Sequence, residues 1–209
     1  MGNRERIVET ARVLMNAQGA QAIGTTQISD ELQISPGNLY YHFKNKEEIV
    51  LSLFDNLELE FRTLITERQE TPISPARFIA YYQQSLELAW EYRFFFGGLL
   101  HLLRRDELLS ARYLLLQQWA LENLESIARQ LVSEGSMAKP RSRNGYQSIT
   151  LNMWLVWSNW VRHKQITSAD HTVSKVDMGE GALQVFDLLS PYLTESYDRA
   201  ARRAFKKSR

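Results

Sequence analysis

Apolar positions recur at intervals of three and four along almost the whole chain, the pattern of helices that each bury one stripe. In the first eighteen residues Ile7, Val8, Ala11, Leu14 and Met15 share a face, and the run stops at Gly19, a residue suited to closing a helix. A second, two-turn helix is expected in GTTQISDELQI, with Thr25 or Thr26 as its cap and Ile28 and Leu32 facing inward. Ser35 and Pro36 open a third, over Pro36 to Phe43: the hydroxyl accepts an orphan amide, and proline loses nothing at the first helical position. Two short helices joined by so tight a turn must cross steeply, as in a helix-turn-helix.

Ile49, Leu53, Leu57 and Phe61 predict a long amphipathic helix from Lys46 to about Glu70, ended by TPISP at 71–75. Further helices are expected at about 75–91, 93–104, 106–133, 145–164 and 177–206. Glycines 97 and 98 loosen the second of these, and Pro191 is a candidate break in the last. SEGSMAKPRSRNG and QITSADHTVSK are polar and aperiodic and read as loops. No convincing strand pairing or internal repeat appears. The expectation is an all-α chain with an N-terminal three-helix unit over residues 1–47 and a larger helical unit over 48–209.

Composition changes this picture little. The chain has 209 residues, 44% apolar and 23% charged, which is ordinary for a globular protein and excludes wholesale disorder. It has no cysteine, so disulfides and thiolate metal sites are excluded. Its four histidines lack metal-ligand spacing, and no phosphate-binding glycine loop, nucleophile elbow or HExxH occurs, so neither a cofactor nor a metal is expected and the chain does not read as an enzyme. Apolar runs near 94–103 and 153–161 fall well short of the roughly 20 residues a membrane helix needs. With no apolar run of signal-peptide length in the first eighteen residues, the expected location is the cytoplasm, without membrane contact. The last twelve residues, DRAARRAFKKSR, hold six bases and one acid, and such a run most often forms a solvated helix end.

Helical spacing divides SPGNLYYHFKNKEE into two faces. Leu39 and Phe43, with Ile34 before them, face a small core that includes Ile28 and Leu32. Pro36, Gly37, Asn38, Tyr40 and Tyr41 then point outward, with His42 at the edge. Adjacent exposed tyrosines cost hydration free energy unless something covers them. A duplex can: hydroxyls reach phosphates, rings pack on sugar or on thymine methyls, and Asn38 offers paired groups to a base edge. Lys46 and the first amides of the following helix sit where a phosphate would be held, and Thr25 or Thr26 does the same on the other side. Half-buried packing in an ordinary helical hairpin is the bland alternative. Residues 1–47 carry five basic and five acidic side chains, so one copy would bind weakly and two copies on one duplex are expected.

The run TTQISDELQISPGNLYYHFKNKEEI closely resembles the N-terminal domain of the TetR family of bacterial transcriptional repressors, whose signature ends in tyrosine, histidine and phenylalanine before a lysine and glutamate open the fourth helix. The match covers roughly residues 4–54. It implies phosphate and base contacts at Thr25, Ser35, Pro36, Gly37, Asn38, Tyr40, Tyr41, His42 and Lys46. Gln33 stands where the family often has glycine in the turn. That glycine is usually left-handed, which glutamine tolerates poorly, so a slightly different turn is expected.

The resemblance further implies that the larger unit binds a small molecule and dimerises through its last two long helices. In TLNMWLVWSNWVRH, Leu151, Trp154, Ser158 and Val161 share a face with Leu155 and Trp157 close by, and tryptophan is enriched at interface centres. With Met178, Ala182, Val185, Phe186 and Leu189 they are expected to form a four-helix interface across a two-fold axis, the alternative being intrachain core. AWEYRFFFGGLLHLLRRDELLSARY also resembles, more loosely, a family subgroup with an aromatic-rich helix before an arginine–aspartate pair. Trp90, Phe94, Phe95, Phe96 and Trp119 are candidate linings of an apolar cavity, with His101 or Arg104 as a polar handle, and core packing as the alternative. The function expected is a homodimeric repressor of a palindromic double-stranded DNA operator, released by a small apolar or aromatic effector. The competing expectation is an architectural or partner-binding DNA-binding protein of the same fold without an effector.

Overall fold

The computed structural model describes residues 2–66 and 72–207, and these are helical with no strand among them. The helices are α1 (Asn3–Gln18), α2 (Thr25–Leu32), α3 (Pro36–His42), α4 (Lys46–Thr66), α5 (Pro75–Glu91), α6 (Arg93–Gly97), α7 (Leu99–Arg105), α8 (Glu107–Ser133), α9 (Gly145–Thr167), α10 (Lys175–Leu189) and α11 (Glu195–Lys207). The expected end of the fourth helix at Glu70, and Thr71 of the TPISP break, lie outside the described residues. The expected helix 93–104 is two short ones, parted at Gly98, and the last is divided by a 3-10 turn at Ser190–Tyr192. An isolated antiparallel bridge joins Met137 to Leu193.

The chain divides into two compact units, Met1–Glu60 with Glu91–Leu114, and Phe61–Trp90 with Leu115–Arg209. The unit that contains residues 1–47 is thus larger than that stretch, taking in the first turns of α4, α6, α7 and the start of α8.

In the first unit Ile7, Val8, Ala11 and Met15 of α1 meet Ile28 of α2, Leu39 and Phe43 around α3, and Ile49 and Leu53 of α4, all buried. Leu32 and Ile34 are only partly covered. Polar groups fix α1 to the 91–94 segment: Arg12 donates to the Glu91 carboxylate at 2.6 Å, while Asn16 donates to the Glu91 carbonyl at 2.7 Å and accepts from the Phe94 amide at 3.0 Å. Phe94, Phe95 and Phe96 are buried there, Phe95 packing on Phe54 and Tyr113. Arg112 pairs with Asp55 and Glu58.

In the second unit α9 and α10 pack closely because α10 offers a glycine. A Cβ at Gly181 would lie 2.5 Å from Cδ1 of Trp160, whose indole N–H donates to the Asp177 carbonyl at 2.7 Å. Lys164 bonds Asp177 at 2.7 Å and Glu180 at 2.9 Å across the same pair. On α5, Phe78 contacts Tyr82, Phe186 and Tyr197. Tyr197, Ala201 and Phe205 form the buried stripe of α11, which leaves Arg199, Arg203 and Lys206 in solvent. The end of the basic tail, residues 208–209, lies outside the described residues. Among the described residues no helix is long and apolar enough to cross a membrane.

Candidate nucleic-acid interface

The turn between α2 and α3 is built from a residue that resists it. Gln33 takes the left-handed conformation at φ 54°, ψ 41°, donating to the Asp30 carbonyl at 3.1 Å, and Ile34 N–H donates to the Ser29 carbonyl at 3.1 Å. The altered turn expected from glutamine does not occur; hydrogen bonds hold the side-chain-bearing residue in the glycine geometry, against a cost of about 1–2 kcal/mol. Ser35 then caps α3, its Oγ accepting from Asn38 N–H at 3.2 Å with Pro36 in the first turn.

α2 is capped differently from expectation. Gly24 occupies the cap position and its N–H donates to Gln27 Oε1 at 3.0 Å, while Thr25 is the first helical residue and Thr26 is exposed. Freed from capping, Thr25 Oγ1 shares a hydrogen bond of 3.1 Å with the Tyr40 hydroxyl, which ties the start of α2 to the outer face of α3. Tyr40 is 53% exposed and Tyr41 85%. Tyr41 meets the His42 ring edge-on at 5.1 Å. Asn38 accepts at 3.4 Å from the side-chain amide of Asn3 at the start of α1. Ser35, Pro36 and Gly37 are exposed, Asn38 and His42 partly so. Leu39 and Phe43 are buried, with the Arg4 guanidinium 4.9 Å above the Phe43 ring.

α4 opens with a reciprocal cap that helical periodicity does not reveal: Asn45 Oδ1 accepts from Glu48 N–H at 2.9 Å, and the Glu48 carboxylate accepts from Lys44 N–H at 2.8 Å. Lys46, on the first turn, donates to the Ala20 carbonyl in the turn after α1. Partial burial lowers its pKa from the usual lysine range, opposed by the charge of Glu47 and aided by that of Arg105. The residues expected at a duplex are thus carried by α2, α3 and the first turn of α4, with Thr25 and Tyr40 joined directly.

The expected cavity residues are not gathered in one place. Phe94, Phe95 and Phe96 are core of the first unit, Arg104 is exposed, and His101 lines a small cleft there. In the second unit Trp90 donates to the Val173 carbonyl at 3.4 Å beneath Lys175, and Trp119 stacks with Phe61 and Arg62. That unit does hold a small apolar cavity, lined by Phe61, Tyr81, Tyr82, Ser85, Leu124, Met153, Trp154, Trp157 and Val185. It has room for about 20 Å³, little more than one water molecule. The surface that faces this space is apolar, and the Ser85 hydroxyl is spent on the Tyr82 carbonyl at 2.9 Å. Burial raises the Tyr82 phenol well above its usual pKa, so it stays a neutral hydrogen-bonding group. The Tyr81–Tyr82 doublet, on the inward stripe of α5, is the signal in the sequence that points to this site.

Of the residues expected at a subunit interface, Trp154, Trp157, Val161, Val185, Phe186 and Leu189 are buried within the single chain, Trp154 at 2% and Trp157 at 7% exposure, while Leu151 is exposed. Their rings pack inward, Trp157 on Phe61 at 4.9 Å and on Trp154 at 5.2 Å. The apolar side chains that α9 leaves in solvent are Leu151, Leu155 and Ile166, and α10 adds Val176.

Comparison with known proteins gives this geometry its context. The family profile described as bacterial regulatory proteins of the tetR family matches residues 7–53, and the TetR profile described as a bacterial transcriptional repressor matches residues 56–201. An HTH-type transcriptional regulator of Staphylococcus aureus, SAB2452, is 37% identical over 65 residues, a match covering 31% of this chain and 34% of that protein. The crystal structure of a TetR-family transcriptional regulator from Marinobacter aquaeolei superposes with a TM-score of 0.88 at 29% identity, over the full length of both chains. SmeT in complex with triclosan, SmeT being the repressor of the Stenotrophomonas maltophilia multidrug efflux pump SmeDEF, shares the fold with a TM-score of 0.63 at 16% identity over 94% of each chain. Profiles that between them run from residue 7 to residue 201, laid over a capped helix-turn-helix and a helical second unit, establish that this chain belongs to the TetR family of bacterial DNA-binding transcriptional regulators.

Proposed function

We propose that the protein is a repressor that binds a palindromic operator as a homodimer, each subunit laying α3 in the major groove, and that a small neutral aromatic effector in the second unit releases it. The observation that carries the DNA part is the outward face of α3. Tyr41, 85% exposed, lies on a helix whose other face is locked by Leu39, Phe43 and the Ser35 cap, so the aromatic surface is rigid and uncovered. Ser35, Pro36, Gly37, Asn38, Tyr40, His42, Thr25, Thr26 and Lys46 complete the contact set. Tyr40 acts in part by holding α2 and α3 in register through Thr25. Half-sites lie about one helical turn apart, roughly 34–36 Å.

The dimer reading draws on the balanced charge of residues 1–47, which makes a single copy a weak binder. It draws also on the apolar side chains left in solvent on α9 and α10, of which Leu151 and Leu155 share one helical face. The tryptophans serve that surface from behind, as the core that stiffens it.

For the effector, the described lining of the second unit's cavity contains no ionised side chain, so a charged ligand would be desolvated without compensation. A flat neutral molecule with one hydrogen-bonding group suits walls of tryptophan, phenylalanine and tyrosine and the Tyr82 hydroxyl. Its entry requires the side chains to part, and the conformer it stabilises is one in which the two α3 helices no longer match the half-site spacing. The small size of the cavity, about 20 Å³, is the observation that favours the other reading, a DNA-binding protein of this fold without an effector. A thermal-shift screen with neutral aromatic compounds separates them. A stabilising compound that also lowers affinity for a duplex selected by the protein supports the repressor, and a screen in which no compound shifts the wild type supports the effector-free reading.

A further inference from the structure

Where the first turn of α4 faces α7 in the first unit, a small cleft is lined by Lys46 and Glu47 on one side and by His101, Arg105 and Asp106 on the other. Two cations from segments nearly sixty residues apart therefore share one opening. Neither forms an ion pair among the described residues. Arg105 is exposed and its guanidinium has no hydrogen-bond partner there, while Lys46 is held only by the Ala20 carbonyl. The cleft also holds two carboxylates, Asp106 and Glu47. Asp106 Oδ1 accepts from Leu109 N–H at 3.0 Å and caps α8. Glu47 occupies the first turn of α4, where the helix dipole favours an acid. Burial lowers the Lys46 pKa, the neighbouring Glu47 charge opposes that, and the Arg105 charge adds to it. Two cations that share one opening can both reach a single anion there.

We propose that Arg105 is a DNA-backbone contact of this protein, its guanidinium and the Lys46 ammonium flanking one phosphate at the mouth of that cleft. The proposal rests on the reading that α3 enters a major groove, which brings the start of α4 to the sugar-phosphate rim. It extends the DNA-facing surface beyond the helix-turn-helix to a residue that no sequence motif marks. Arg104 supplies the comparison. It carries the same charge in the same last turn of α7 and serves the helix dipole equally, but it does not line the cleft.

The test is the salt dependence of binding of the full chain to a fluorescent duplex selected by the wild-type protein from a random pool. Arg105→Ala is expected to make the slope of log affinity against log salt shallower by about 0.9 for each phosphate that a subunit no longer neutralises. Affinity should fall by a similar factor on selected and on random duplex, because a phosphate contact carries no sequence information. Arg105→Lys should keep most of the slope, and Arg104→Ala should leave it at the wild-type value. Equal slopes for Arg105→Ala and wild type, or equal losses for Arg104→Ala and Arg105→Ala, overturn the proposal while leaving the α3 reading in place. A wild-type protein that selects no duplex overturns both.

Discussion

Two helices of this chain concentrate aromatic side chains and treat them in opposite ways. α3 holds Tyr40 and Tyr41 out in solvent at 53% and 85% exposure, whereas α9, with three tryptophans, buries Trp154 and Trp157 almost completely. The difference follows from what surrounds each helix. α3 is seven residues long, its covered residue is Leu39, and its neighbours α1 and α2 cover only that side. α9 is 23 residues long and makes its densest packing with α10, drawing its large rings inward around Phe61, Tyr81 and Tyr82. An aromatic doublet on a short, firmly capped helix signals a surface, while an aromatic repeat on a long helix in a bundle signals core first.

The sharpest way to break the comparison is to truncate its buried half. Trp154→Ala is expected to cost about 3–5 kcal/mol of stability, read by urea denaturation. A loss below about 1 kcal/mol would mean that the indole is not core. Next in size is Gly181→Ala. Alanine would ordinarily favour a helix by about 1 kcal/mol, yet here its Cβ meets the Trp160 indole, so a net loss of about 1–3 kcal/mol is expected. A gain in melting temperature would show that α9 and α10 are not so closely apposed. Gln33→Gly should act in the other direction, stabilising by about 0.5–1 kcal/mol as the left-handed strain is relieved and part of that gain is returned to the freer unfolded chain. The smallest effect belongs to the exposed half: Tyr41→Ala should alter stability by no more than about 0.5 kcal/mol.

Much of this fold is legible in the sequence, and the exceptions have physical reasons. Ser35–Pro36, Gly19 and the spacing of Leu39 and Phe43 mark local events, decided within a few residues, and each stands where the pattern places it. The cap of α2 lies one residue earlier than expected, at Gly24, because a glycine followed three residues later by Gln27 satisfies the first amide without a hydroxyl. Gln33 departs from expectation because the hydrogen bonds of the turn outweigh its own preference, which no local rule reveals. The aromatic run at 94–96 and the tryptophans of α9 read in sequence as a cavity lining and an interface, each with core packing as the alternative, and Phe94, Phe95, Phe96, Trp154 and Trp157 are buried within this chain. Helical periodicity says that a face is covered. Whether a partner, a ligand or the same chain covers it depends on contacts between residues far apart in sequence. Tyr81, Tyr82 and Phe61 come together only in the folded unit, and so do Lys46 and Arg105.

The central claim is that the exposed face of α3 exists to be covered by DNA. Its most direct test measures, by fluorescence anisotropy, the affinity of the full chain and of its Tyr40→Ala/Tyr41→Ala variant for a duplex selected by the wild type, with melting temperatures recorded for both. A loss of about 100-fold, some 2.7 kcal/mol, is expected of two central contact residues, with melting temperatures that agree closely. A variant that melts like the wild type and still binds the duplex with undiminished affinity would contradict the account.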